Sequence, residues 1–136
     1  MKAWILPATV TFFAWGLWGL LPKITTRYIS PASAIVFEAI GGLPIALIVL
    51  ISLRFRLEWA PRGISLAMIT GALGVIGALG FLVAVQRGPV SLVVTMTALY
   101  PALTVLIAVV ALGEQVSTRQ AIGVLLALAA MLLVAT

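Results

Sequence analysis

The chain has 136 residues, of which 64% are hydrophobic and 8% are charged, and its formal net charge is +5. Soluble domains carry about 25% charged residues, so this composition excludes an ordinary soluble globule. No basic cluster is interleaved with polar loops of useful length, which argues against nucleic-acid binding, and the positive excess is typical of charges that set membrane topology.

The chain contains no cysteine, histidine or aspartate. It therefore lacks the side chains for disulfides, for thiolate or histidine-based nucleophilic catalysis and for the usual metal sites. The three carboxylates, Glu38, Glu58 and Glu114, lie in three different segments, so paired-carboxylate chemistry is not supplied either. We expect neither an enzyme nor a bound cofactor or metal.

A helix that crosses a bilayer needs about 20 mostly apolar residues. We predict an all-α, polytopic membrane protein with five transmembrane helices, over residues 4–21, 32–53, 64–86, 90–112 and 120–136. The segments lack the alternation of a membrane β-barrel. The longest polar connection, residues 54–63, is too short for a soluble domain, so we expect one domain over residues 1–136.

The first span gathers small and polar residues on one helical face, together with Trp15 and Trp18. In lipid such a face turns towards the protein interior, and we predict that both tryptophans line a cavity. Anchoring at the membrane interface is the alternative for both. We do not expect a cleaved signal peptide, because the apolar stretch is long and is followed by Lys23 and Arg27.

The second span carries Glu38, which shares a helical face with small residues and so is predicted to point into the bundle. It lies roughly 9 Å below the start of its helix, where a charge costs at least about 2.5–3.5 kcal/mol. That cost favours a substrate or proton site. A structural ion pair with Lys23, Arg27 or Arg87 is the alternative.

The third span has glycines at intervals of three, at Gly71, Gly74, Gly77 and Gly80. Such a row allows close approach of neighbouring helices or eases bending. Close packing is the simpler interpretation. A moving gate, centred on Gly74 and Gly77, is the functional one.

In the fourth span Thr97, Tyr100 and Thr104 share one face and are predicted to line the cavity. A buried core tyrosine is the alternative for Tyr100. Pro101 deprives the Thr97 carbonyl of its amide donor and is predicted to kink the helix. Pro44 does the same to the carbonyl of Ile40 in the second span. Interrupted helices recur at transporter binding sites, so we assign both prolines to hinges.

The connections carry helix-end signals. Ser30 and Pro31 predict the start of the second helix, Gly113 predicts a left-handed end of the fourth, and Ser117 with Gln120 has capping-box spacing.

With five spans the termini lie on opposite faces of the membrane. One face carries five cations, Lys2, Arg54, Arg56, Arg62 and Arg119, and the other carries three, Lys23, Arg27 and Arg87. This charge difference predicts that the five-cation face, with the N-terminus, is cytoplasmic. A chain that inserts in both orientations would also show so small a difference in charge between its two faces.

Several stretches resemble the EamA family of the drug/metabolite transporter superfamily. They are WGLWGLLPK (15–23), QRGPVSLVV (86–94), LYPALTVL (99–106), LGEQ (112–115) and QAIGVLL (120–126). Glu114 matches a family motif at a helix end, and we interpret it as structural. The resemblance covers the whole chain.

The resemblance implies a secondary carrier of small metabolites in the cell (inner) membrane, commonly an exporter, with two five-helix units in opposite orientation around a cavity. This chain has one unit. We therefore expect a homodimer, antiparallel if topology is dual, that forms a ten-helix inverted repeat and works by alternating access on amphipathic or cationic solutes. The alternative is a non-transporting subunit, or a half-transporter that needs a related partner chain.

Overall fold

The computed structural model describes residues 4–135, apart from the side chains at positions 127, 131, 134 and 135. Throughout this range the chain forms α-helices joined by turns and short loops, which confirms the all-α prediction. The helices are α1 (Ile5–Thr25), α2 (Pro31–Ser52), α3 (Pro61–Arg87), α4 (Val90–Thr97), α5 (Tyr100–Leu112) and α6 (Thr118–Ala135). Lys2, one of the five cations of the predicted cytoplasmic face, and Thr136, the predicted end of the fifth span, lie outside the described residues.

Four helical spans are long and apolar enough to cross a membrane. They are α1, α2, α3 and the stretch Val90–Leu112, which contains α4 and α5. The fifth predicted span corresponds to α6, which has 18 residues and is at the short end of the roughly 20 residues that a span requires. Four of the five predicted spans are thus confirmed, and the fifth stays a prediction.

Local sequence signals fix several helix ends. Ser30 caps α2, where its hydroxyl accepts a hydrogen bond from the Ser33 amide at 3.2 Å. Gly113 ends α5 with a φ of 66°, in the left-handed region that glycine tolerates. Ser117 and Gln120 bond reciprocally at 2.9 and 3.3 Å before α6. All three predicted signals are confirmed.

Two helix boundaries differ from the prediction because proline is compatible with both positions. The predicted end of the first span is residue 21, but α1 continues through Pro22 to Thr25 and closes with a 2.9 Å bond from the Thr26 amide to the Pro22 carbonyl. The predicted start of the third span is residue 64, but α3 begins at Pro61. A proline suits the first helical position, since its φ is preset and no amide is needed there.

The fourth span is interrupted between α4 and α5. Pro101 has no amide to give the Thr97 carbonyl. The last α-helical bond of α4 runs from the Ala98 amide to the Val94 carbonyl at 2.8 Å, and the Leu99 amide then bonds three residues back, to Met96 at 3.3 Å. The predicted kink is therefore a break at Ala98–Leu99.

The turn after α2 is built without glycine. Arg54 and Phe55 both adopt left-handed backbone conformations, with φ of 53° and 59°, which cost roughly 1–2 kcal/mol per residue for non-glycine side chains. Their amides bond to the carbonyls of Ile51 and Leu50 at 2.8 and 3.0 Å. The last carbonyls of α2 thereby gain partners at the expense of backbone strain.

The helices divide into two units, α1–α3 and α4–α6. In the first unit α3 packs against both α1 and α2. Its buried side chains lie where the end of α1, the beginning of α2 and the end of α3 meet, at Pro22, Ala34, Phe81, Leu82 and Val85. In the second unit α4 packs against α6. The single domain over residues 1–136 stays a prediction.

Candidate functional site

Glu38 interacts with a tryptophan of the neighbouring helix α1. It lies seven residues after Pro31, the first residue of α2, and so about 10 Å along the helix from its start. Its carboxylate is half-buried and shares a side-chain hydrogen bond with Trp18. An indole nitrogen is a donor only, so Trp18 donates to the carboxylate.

The third helix completes this site with an aromatic ring. The rings of Trp18 and Phe81 have centroids 5.2 Å apart and planes inclined by 30°. Phe81 is 7% exposed and Trp18 is 39% exposed, so the tryptophan presents part of its ring at the surface of the unit. We name Trp18, Glu38 and Phe81 the Glu38 cluster; α1, α2 and α3 each contribute one of its side chains.

Lys23 lies beyond the Glu38 cluster, at the end of the first unit where α3 finishes. Its Nζ donates to the carbonyl oxygen of Val85 at 2.6 Å. In a continuing helix that carbonyl would accept from residue 89, but Pro89 has no amide hydrogen. The lysine supplies the missing donor, and its positive charge also suits a helix C-terminus.

This arrangement bears on the ion-pair interpretation of Glu38. The hydrogen-bonding side chain that the structure gives Glu38 is Trp18, whereas the amine of Lys23 is bonded to a backbone carbonyl. The side chains of Arg27 and Arg87 are exposed. Both interpretations of Glu38, as a solute or proton site and as a member of a structural ion pair, stay predictions.

Trp15 lies three residues before Trp18 on α1 and is 62% exposed. In a helix a separation of three residues turns the side chain by about 60°, so Trp15 lies beside the Glu38 cluster rather than within it. Its cavity role stays a prediction.

The other predicted cavity residues belong to the second unit and flank the break between α4 and α5. Tyr100 begins α5 and is 55% exposed. The hydroxyls of Thr97 and Thr104 donate to the carbonyls of Val93 and Tyr100 at 2.9 and 3.2 Å. Each threonine hydroxyl therefore retains only its acceptor lone pairs for a solute.

The four predicted hinge positions have different surroundings. Helix α2 continues unbroken through Pro44, whereas Pro101 is the second residue of α5 and follows the break. At Gly74 and Gly77 an added Cβ would meet no atom within 4 Å. Among the described residues, close packing therefore does not account for these two glycines.

The surface around Pro44 is a shallow groove on α2 alone. It is lined by apolar side chains: Ile40, Leu43, Pro44, Ala46, Leu47 and Leu50. Such a lining suits an acyl chain rather than a charged solute. Within residues 4–135 no group of three His, Cys, Asp or Glu side chains could hold a metal ion.

Two features of this site were not predicted. No sequence pattern indicates that Phe81 faces Trp18, because that pairing depends on how α1 and α3 pack. The bond from Lys23 to Val85 had a partial signal, since Pro89 lies four residues after Val85 and necessarily leaves its carbonyl without a helical partner.

Comparison with known proteins identifies the family. The family model described as the EamA-like transporter family matches residues 2–136, nearly the entire chain. No curated protein and no solved structure matches the chain. Together with the four apolar helices, the match makes this a multi-pass membrane protein, and the chain belongs to the EamA-like transporter family.

Proposed function

We propose that the protein is a secondary active carrier that exports small amphipathic or cationic metabolites, with the Glu38 cluster as its solute and proton site. The observation that carries this proposal is a carboxylate about 10 Å inside a membrane-spanning helix, bonded to an indole whose ring contacts the ring of Phe81. Ionisable groups in such positions are costly and mark solute or proton pathways. The family supports transport as the activity.

The chemistry of the cluster suits a solute with one positive charge and an apolar body. The Glu38 carboxylate attracts the charge, and the rings of Trp18 and Phe81 add cation–π attraction. When Glu38 takes up a proton its negative charge is lost, and the cation is released. Exchange of one proton for one cation at the same carboxylate couples export to a proton gradient.

A second copy of the chain completes the carrier. One chain provides a single five-helix repeat, and an inverted second copy completes the ten-helix carrier. Its cavity near the membrane midplane opens in turn to one membrane face and then to the other. Trp15, Thr97, Tyr100 and Thr104 line that shared cavity. Pro44, Gly74, Gly77 and Pro101 are its hinges. The carrier resides in the inner membrane, with the N-terminus of at least one copy in the cytoplasm.

The open surface at Gly74 and Gly77 also suits a related partner chain, and this supports the second candidate function, a non-transporting subunit or half-transporter. The two functions differ in what the purified chain does alone. A homodimer that binds solute favours the carrier. A chain that is monomeric, or that binds solute only when co-expressed with a related chain, favours the subunit.

A thermal-shift screen tests the proposed site. The purified protein is heated with single members of a panel of amphipathic cations, zwitterions and anions, because a ligand stabilises the fold that binds it. We expect cations to raise the unfolding temperature of the wild type and not that of Glu38→Gln. Stabilisation of both proteins by the same cation would remove Glu38 from the site.

A further inference from the structure

The segment that joins α2 to α3 is fixed at the membrane surface by the helices on either side. Both α2 and α3 are long enough to cross a bilayer, so the residues between Ser52 and Pro61 emerge at the level of the lipid headgroups. We name residues 54–62 the arginine loop.

The arginine loop combines positive charge with exposed apolar rings. Its nine residues include three arginines and one glutamate, Glu58. All of these side chains are exposed, as are the apolar ones between them, Phe55, Leu57 and Trp59, of which Trp59 is 86% exposed. Aromatic and basic residues side by side are typical of the headgroup region, where the ring contacts acyl carbons and the cation contacts phosphate.

The backbone holds the first part of the loop in a defined shape. The amides of Arg54, Phe55 and Arg56 bond to the carbonyls of Ile51, Leu50 and Leu53 at 2.8, 3.0 and 3.0 Å. The two left-handed residues that close this turn are not glycines, so side chains are present where a glycine turn would have none. The turn therefore projects two guanidinium groups and a phenyl ring from three consecutive residues, Arg54, Phe55 and Arg56.

The guanidinium groups of the loop are available for an external anion. The side chains of Arg54, Arg56 and Arg62 are all exposed. A guanidinium binds phosphate through two parallel hydrogen bonds, whereas a quaternary-ammonium headgroup beside the phosphate opposes this attraction. The loop therefore discriminates by headgroup charge.

We propose that the arginine loop is a binding site for anionic phospholipid. The phosphodiester lies against the three guanidinium groups, and the exposed Phe55 and Trp59 rings enter the upper acyl region. Free phosphate or glycerophosphate lacks the acyl chains that these rings contact, so the site selects intact lipid. This inference is independent of the transported solute.

The test compares two variants of the full chain that have the same net charge. The loop variant is R54Q/R56Q/R62Q, and the control variant is R27Q/R87Q/R119Q; each lowers the formal charge from +5 to +2. Each purified protein in neutral detergent is titrated with phosphatidylglycerol or phosphatidylcholine, and bound lipid is counted by native mass spectrometry.

We expect the wild type and the control variant to retain phosphatidylglycerol in preference to phosphatidylcholine, and the loop variant to bind phosphatidylglycerol at least about tenfold more weakly, since three surface cations contribute to the attraction. Equal weakening in both variants would mean that net charge alone attracts lipid, and would overturn the proposal. Competition by inorganic phosphate as effective as that by lipid would also overturn it.

A second variant tests the proposal if the loop variant fails to insert into the membrane. Trp59→Phe keeps every charge, and its insertion should be that of the wild type. Brominated phosphatidylglycerol is expected to quench wild-type tryptophan fluorescence more than brominated phosphatidylcholine does, and this excess should be lost in Trp59→Phe. Quenching that is equal for the two lipids in the wild type would refute a headgroup-selective site.

Discussion

The amine of Lys23 on α1 donates to the carbonyl oxygen of Val85 on α3 at 2.6 Å, and this bond joins the ends of two membrane-spanning helices. Pro89 prevents the normal helical bond at that carbonyl. Phe81, whose ring faces Trp18, is one helical turn before Val85, so the lysine bond and the ring contact both join α1 to α3.

Lys23→Met is expected to destabilise the protein by about 1–2 kcal/mol, since a charged donor to a partly buried carbonyl is lost. Thermal unfolding in detergent should show a midpoint that is lower by roughly 5 °C. Lys23→Arg keeps a donor and a charge and serves as the control. A midpoint for Lys23→Met equal to that of the wild type would show that the bond contributes nothing to stability.

Trp18→Phe separates the two contacts of the tryptophan. The substitution removes the N–H donor to Glu38 but keeps a ring opposite Phe81, so we expect a loss of about 1 kcal/mol for this partly exposed pair. Trp18→Ala also removes the ring contact and should cost about 2 kcal/mol or more. Trp59→Phe is the control, because that ring is 86% exposed. Chemical denaturation curves measure the differences; equal midpoints for Trp18→Phe and Trp59→Phe would contradict the hydrogen bond.

Three helix-end signals and four of the spans were predictable from sequence because they depend on local chemistry. Ser30, Gly113 and Ser117 act on backbone groups within a few residues of themselves, and hydrophobic length is read directly from the chain. The break before Pro101 was predicted as a kink for the same reason, since a proline always leaves one helical carbonyl without its donor.

The composition of the site was less predictable because it depends on contacts between distant segments. Glu38 could be identified because a carboxylate in an apolar membrane span is costly in free energy. Its partner Trp18, however, is 20 positions away in sequence. Phe81 and Val85 are on a third helix. Helical periodicity indicates which face a residue occupies and leaves open which neighbour that face meets. The same limit applies to the predicted cavity residues of the second unit.

Gly77→Leu tests assembly through the glycine face of α3. Since an added side chain meets no atom within 4 Å in the single chain, the fold should tolerate leucine, and helix propensity gains up to about 1 kcal/mol. If a second copy packs there, the dimer should dissociate. Gly16→Leu on α1, where space is also open, is the control. Light scattering after size-exclusion chromatography gives the mass; a Gly77→Leu dimer as stable as the wild type would exclude this face.

Pro101→Ala is expected to join α4 and α5 into one helix, because alanine provides the amide that the Thr97 carbonyl lacks. Hydrogen–deuterium exchange at residues 98–101 should slow by at least about tenfold, and transport should fall if the break is a hinge. Pro44→Ala is the control for the exchange measurement alone, since α2 already continues through Pro44. Unchanged exchange in Pro101→Ala would mean that another feature causes the break.

Gradient-driven transport tests the role of Glu38 most directly. Proteoliposomes with equal amounts of wild type or Glu38→Gln are given a pH gradient and the cation that the thermal-shift screen identifies, and its accumulation is followed over time. We predict accumulation by the wild type and none above protein-free liposomes by Glu38→Gln, with both proteins equally folded by circular dichroism. Accumulation by Glu38→Gln at the wild-type rate would contradict the assignment of proton and solute binding to this carboxylate.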